Sequence, residues 1–186
     1  MRTADCDILV IPGYGNSGPD HWQSRWQERL STARRVAMPD WDHPEPEPWR
    51  DAIIAAVQAA ARPVILVAHS LGVVSTVQAA PYLPPGAVRG AFLVALPDVE
   101  RPDLPGLLPG FLRAFAPIPH DPLPFPAVLV ASRTDPYAAY ARAETFAAAW
   151  GAELVDAGES GHLNGESGHG PWPEGLMRFA GFLRPL

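Results

Sequence analysis

"ILVAHSLGVV", residues 65–74, runs apolar, breaks at a histidine and a serine, and turns apolar again after Gly72. The unbroken run Ile65–Ala68 lacks the alternation of a half-solvated strand. It reads as a strand buried on both faces, of the kind found in parallel sheets covered by helices. The apolar residues that resume at Leu71 read as a helix packed directly behind it. Ser70 therefore falls on a tight strand-to-helix turn, with Gly72 two positions later. That is the setting of a nucleophile elbow, where small neighbours let strand and helix approach while the serine Oγ projects from the carboxyl edge of the sheet. Ala68 stands where the G-x-S-x-G pattern has its first glycine, one methyl group larger. The plainer alternative is a serine that only caps the helix.

Working outward, similar apolar runs recur at "CDILVIP" (6–12), "PVILVAH" (63–69), "VRGAFLVALP" (88–97) and "PAVLVAS" (126–132), with weaker ones at "RRVAMP" (34–39) and "AELVDA" (152–157). Helical spacing lies between them. Ser17 to Asp20 offers a cap and a proline ahead of Trp22, Trp26 and Leu30, and Trp49, Ile53, Val57 and Ala60 mark a second helix. Residues 71–80, 138–150 and 174–183 supply three more, the last with Leu176, Phe179 and Leu183 on one face. This alternation predicts an α/β fold: a compact, doubly wound, mostly parallel sheet of about six strands with helices on both faces and little or no cap. Residues 1–186 read as one domain. The proline-rich "PDWDHPEPEPW" (39–49) is expected as an extended crossing loop. Residues 98–125 form an excursion long enough to be a lid or binding loop, with a short helix around 107–115.

Composition narrows the function. A hydrophobic fraction of 47% and a charged fraction of 18% suit a folded globular chain, and a net charge of −6 leaves no basic footprint for nucleic acid. Cys6, the single cysteine, cannot form an internal disulfide and is expected to be a buried strand residue. The first apolar run is too short for a signal sequence and no stretch approaches a membrane span, so a cytoplasmic protein without membrane contact is expected. No His/Cys/Glu spacing of the metal-binding type occurs, and neither a metal nor a cofactor is expected.

A serine hydroxyl needs a base to take its proton and an acid to orient that base. Six histidines are present. In an α/β-hydrolase the order is serine, acid, histidine, each on a loop after a strand. Asp135 in "SRTDPY" follows the fifth predicted strand, and His162 in "SGHLNGESGHG" follows the sixth. Asp98, after the fourth strand, is the alternative acid, and His169 the alternative base. His69 is expected to point away from Ser70 as a packed neighbour, and His21, His43 and His120 suit capping or solvated roles. For an oxyanion, the expected donors are the backbone N–H of Leu71 and, from the loop "PGYGNSG" (12–18), that of Tyr14. That loop lacks both the dinucleotide and the Walker patterns.

"PGYGNSGPDHWQSRW", "AHSLG", "SRTDPY" and "SGHLNGESGHGPWPEG" resemble segments of the small single-domain serine hydrolases of the α/β-hydrolase superfamily, which include the retinoblastoma-binding serine hydrolase and its bacterial relatives. The resemblance spans almost the whole chain. It implies Ser70 as nucleophile, His162 as base, Asp135 as orienting acid, and esterase-like hydrolysis of small acyl substrates. Two other readings stand beside a carboxylesterase: a peptidase or amidase, and a protein-binding module with an idle triad, anchored by Trp22, Trp41, Trp49 or Trp172.

Overall fold

The computed structural model describes residues 1–186, the side chain of Pro105 excepted. The strands are β1 (Asp7–Ile11), β2 (Ala33–Arg35), β3 (Val64–His69), β4 (Val88–Val94), β5 (Ala127–Ala131) and β6 (Glu153–Asp156). They form one six-stranded sheet in the order β2-β1-β3-β4-β5-β6, every neighbour parallel. Continuous apolar runs become strands here because both faces are covered. Leu9, Ile11, Leu66 and Ala68 pack into one core, and Ile8, Val10, Ile65 and Val67 into the other.

Five helices cover those faces: α1 (Trp22–Arg29), α2 (Pro46–Gln58), α3 (Leu71–Ala79), α4 (Tyr140–Trp150) and α5 (Pro173–Leu183). The first core takes Trp49 and Ile53 of α2, Val73 and Val77 of α3, and Phe146 and Trp150 of α4. The second takes Trp22 and Trp26 of α1 with Phe179 and Leu183 of α5. Burying a side chain of this size contributes roughly 2–3 kcal/mol.

Several boundaries differ from the sequence reading. Helix α1 starts later than the Ser17–Asp20 segment suggests, because His21 is its cap: the imidazole Nδ1 accepts from Gln23 N. Ser17 is buried instead and donates through its hydroxyl to Gln23 Oε1. The 39–49 segment is not extended throughout, since α2 begins at Pro46. Pro46 and Pro48 fall in its first turn, where a missing N–H costs nothing. Strand β2 is only Ala33–Arg35, after which Val36 and Met38 turn into the core. Helix α4 begins at Tyr140, two residues past the predicted start. On α5 the buried face is Gly175, Phe179 and Leu183, while Leu176 is exposed. Cys6 is fully buried but precedes β1.

The 98–125 excursion carries two 3-10 turns, Leu104–Gly106 and Gly110–Phe115. It is tied down along its length. Arg142 of α4 pairs with both Asp98 and Glu100, Gln78 Nε2 donates to Phe115 O, and Trp150 Nε1 donates to Pro119 O. Among the described residues, no helix is long and apolar enough to cross a membrane.

Candidate active site

The strand order reverses direction at β1: the chain moves outward to β2, then crosses back to β3 on the other side. At such a switch point the loops leaving adjacent strands diverge, and a crevice opens at their carboxyl ends. The loops after β1 and β3 carry Tyr14 and Ser70. Both line a cavity of about 550 Å³, together with His21, His69, Leu71, Pro97, Leu108, Leu112, Tyr137, His162, Asn164 and Glu166 among others.

Ser70 has φ 55° and ψ −129°, a conformation an L-residue adopts only where its surroundings impose it, at a cost of about 1–3 kcal/mol. Two glycines permit the turn. A Cβ on Gly13 would stand 2.7 Å from Ser70 Cβ, and one on Gly72 would stand 2.5 Å from the carbonyl oxygens of both Ile11 and Pro12. Gly72→Ala should therefore push the β1 loop away from the serine and destabilise the fold by roughly 1–3 kcal/mol, read as a lower urea midpoint. An unchanged midpoint would show that the close approach is dispensable.

His162, 92 residues further along the chain, accepts the Ser70 hydroxyl at Nε2, 2.9 Å away. Its Nδ1 donates to the Asp135 carboxylate at 2.9 and 3.0 Å. The side chains of His162 and Asp135 are only 7% and 4% exposed, so water competes weakly for either bond. Asp135 also accepts from the backbone N–H of Tyr137 at 2.9 Å, and the Tyr137 ring stands edge-on to the imidazole with centroids 4.5 Å apart.

The alternatives are held elsewhere. Asp98 accepts from Arg142 Nε at 3.0 Å and from the backbone N–H of Glu100 at 3.1 Å, facing α4. His169 meets Ser167 Oγ at 3.1 Å and packs against Trp172. His43 is exposed beside Asp40, and His120 lies against Phe146. His69 is packed, but it does not point away from the site as expected: it lines the same cavity as Ser70, its Nε2 donates to the His162 carbonyl at 3.0 Å, and its ring lies 4.7 Å from that of His21. Leu71 begins α3, where its N–H lacks an intrahelical acceptor, and Tyr14 lines the cavity opposite, its ring edge-on to Phe111 of the excursion.

Other supporting residues carry no motif. Leu163 has φ 50°, and its carbonyl accepts from Trp22 Nε1 at 2.9 Å, fixing the turn that presents His162. Gln23 Nε2 donates to the carbonyls of Ile11 and Val67, joining α1 to the ends of β1 and β3. Trp22, Trp49 and Trp172 are buried and Trp41 packs against the core, so none presents the free anchor that a docking module would use. Among the described residues, no three His, Cys, Asp or Glu side chains group as a metal site.

Burial and the neighbouring His162 hold His21 down at about 4, and the fully buried His69 well below its usual range for the same two causes. Both rings are neutral in the native state. In the unfolded chain they titrate near 6.5, so as pH falls below about 6.5 the unfolded state takes up protons that the native state refuses. Stability present at pH 7 is lost toward pH 4, His21 alone accounting for on the order of 2 kcal/mol by pH 5. A urea midpoint at pH 5 equal to that at pH 7 would contradict this.

The parallel sheet, its switch-point cavity and the buried Ser–His–Asp cluster at its carboxyl edge define an α/β-hydrolase. Residues 8–181 match the serine hydrolase family model, and the chain belongs to that family. It is a serine hydrolase. Among solved structures it resembles a candidate YdeN-like hydrolase from Pectobacterium atrosepticum, with 32% identity, TM-score 0.82, and 97% of this chain and 91% of that one covered. The ydeN gene product of B. subtilis shares 22% identity at TM-score 0.76, over 94% and 97% of the two chains. Carboxylesterase CesB from Bacillus subtilis has the same fold at 14% identity and TM-score 0.68, over 96% and 84%. No curated protein sequence matches the chain.

Proposed function

We propose that the protein is a carboxylesterase that cleaves small acyl esters through an acyl-enzyme formed on Ser70. The observation that carries this reading is the continuous bond series Asp135–His162–Ser70, buried beneath an open cavity. His162 takes the hydroxyl proton as Oγ adds to the ester carbonyl, and Asp135 fixes the tautomer and offsets the imidazolium charge. The N–H groups of Leu71 and Tyr14 donate to the tetrahedral oxyanion. As the intermediate collapses, the bond to the leaving oxygen breaks and His162 returns the proton to it. Water, activated by the same histidine, then adds to the acyl carbonyl and releases the acid and Ser70.

Leu71, Pro97, Leu108 and Leu112 give the cavity an apolar wall suited to a short acyl chain, and the last two support a substrate-binding role for the tethered 98–125 excursion. The test is a fluorophosphonate probe applied beside a Ser70→Ala control, with the adduct mapped by mass spectrometry. Labelling at Ser70 is the expected outcome. A folded wild-type sample that stays unlabelled would reject an activated nucleophile and favour a binding protein on a hydrolase fold.

A further inference from the structure

Resting on that reading, we propose that His69 is a positioning residue for the base: its Nε2–H grips the main chain of His162 and so registers the imidazole on the strand end that carries the nucleophile. His162 lies in a turn between β6 and α5, outside any helix or strand ladder. Its place opposite Ser70 Oγ therefore depends on what holds that turn from outside. The backbone there is not relaxed, because Leu163 takes φ 50°, a left-handed conformation that a non-glycine residue keeps only where its neighbours impose it.

Two ring nitrogens hold consecutive carbonyls of the turn. Trp22 Nε1 donates to the Leu163 carbonyl at 2.9 Å, and His69 Nε2 donates to the carbonyl before it, that of His162 itself, at 3.0 Å. A carbonyl only accepts, so the neutral His69 ring carries its proton on Nε2. The two donors differ in their anchorage. Trp22 opens α1, whereas His69 is the last residue of β3, pairs in register with Val94 of β4, and is joined by one peptide bond to Ser70. The Ser70 N–H is held in turn by the Val94 carbonyl at 3.0 Å. One strand end thus fixes both reacting groups, Ser70 through the chain and His162 through the His69 side chain. The ring itself is confined: it is 5% exposed, and the rings of His21, His162 and Trp22 stand 4.7, 4.9 and 6.0 Å from it. Without this bond the His162 carbonyl loses its buried donor, and the imidazole can shift against its 2.9 Å bonds to Ser70 and Asp135.

The test replaces His69 by Phe, which keeps a ring and removes the donor, and by Gln, whose amide nitrogen reaches about as far as the imidazole Nε2. Folding of each is established by circular dichroism. On p-nitrophenyl butyrate, kcat and kcat/KM of His69→Phe should fall together by about 100-fold, the scale of a base displaced by roughly 1 Å. His69→Gln should stay within about fivefold of wild type, the cost of one weakened hydrogen bond. A third measurement needs no loss of the donor: in nitrogen-15 spectra of the wild-type protein, the imidazole signals absent from His69→Gln should be those of a ring protonated at Nε2. A wild-type His69 protonated at Nδ1 instead, a folded His69→Phe within about threefold of wild-type kcat, or a His69→Gln as slow as His69→Phe each overturns the proposal while leaving the Ser70 reading intact. Turnover that survives Ser70→Ala overturns the Ser70 reading, and the role of His69 with it.

Discussion

Ser70→Ala should lower kcat/KM for an activated short-chain ester by on the order of 10⁴-fold or more, and His162→Ala by a similar amount. Without Oγ no acyl-enzyme forms, and without the imidazole the hydroxyl keeps its proton. The two losses should not add, because each residue acts only through the other across their 2.9 Å bond. Replacing both should cost little more than replacing either. Steady-state kinetics on the two single variants and the double variant decide the matter. Near-normal turnover in any of them would remove the residue concerned from the chemistry. Folding should survive Ser70→Ala, since alanine adds no bulk at the elbow, so a loss of rate there reads on chemistry and not on structure.

The second large effect separates two carboxylates. Asp135→Asn should cut kcat by about three to four orders of magnitude, because an amide facing Nδ1 can donate and so favours the tautomer that cannot accept the serine proton. Asp98→Asn should leave kcat within about threefold of wild type. Asp98 is engaged by Arg142 and the Glu100 amide, and its change should appear mainly as a modest loss of stability. The opposite pattern would transfer the acid to the loop after β4. The contact between the two loops, Asp98 N to Tyr137 O at 3.0 Å, explains why a small indirect effect is expected from Asp98 at all.

Both carboxylates follow apolar strands, and from the chain alone they differ only in what comes after them. Asp135 lies in a short turn, whereas Asp98 opens the long excursion. Asp98 instead faces α4, where Arg142 pairs with both Asp98 and Glu100, and its bond to Arg142 spans 44 residues. The same holds for the histidines. His162 and His169 sit in one glycine-rich stretch, yet only the first meets Ser70, while the second bonds Ser167 and supports the Trp22 amide through its carbonyl. Local composition offered Ser17–Asp20 as the cap and left His21 between a capping and a solvated role, so it placed the helix start too early. The neighbouring Ser17–Asp20 segment has the composition of a cap, and only the buried Ser17–Gln23 bond reveals that it is committed elsewhere.

The sequence by itself determined the layer architecture and the position of the elbow. Strands sealed on both faces must be apolar throughout, helices must be amphipathic, and a serine on a tight turn between them needs small neighbours; each demand acts on residues near one another in the chain. Only the tertiary structure decided which acid meets which base, that Trp22 and Leu163 brace the His162 turn, and that His21 and His69 stand in opposite fixed tautomers beside it. Those pairings join residues up to 141 positions apart, brought together by the reversal of strand order between β1 and β3. Hydrophobic periodicity specifies which face of an element is buried, and it carries no record of which polar atom waits on the other side.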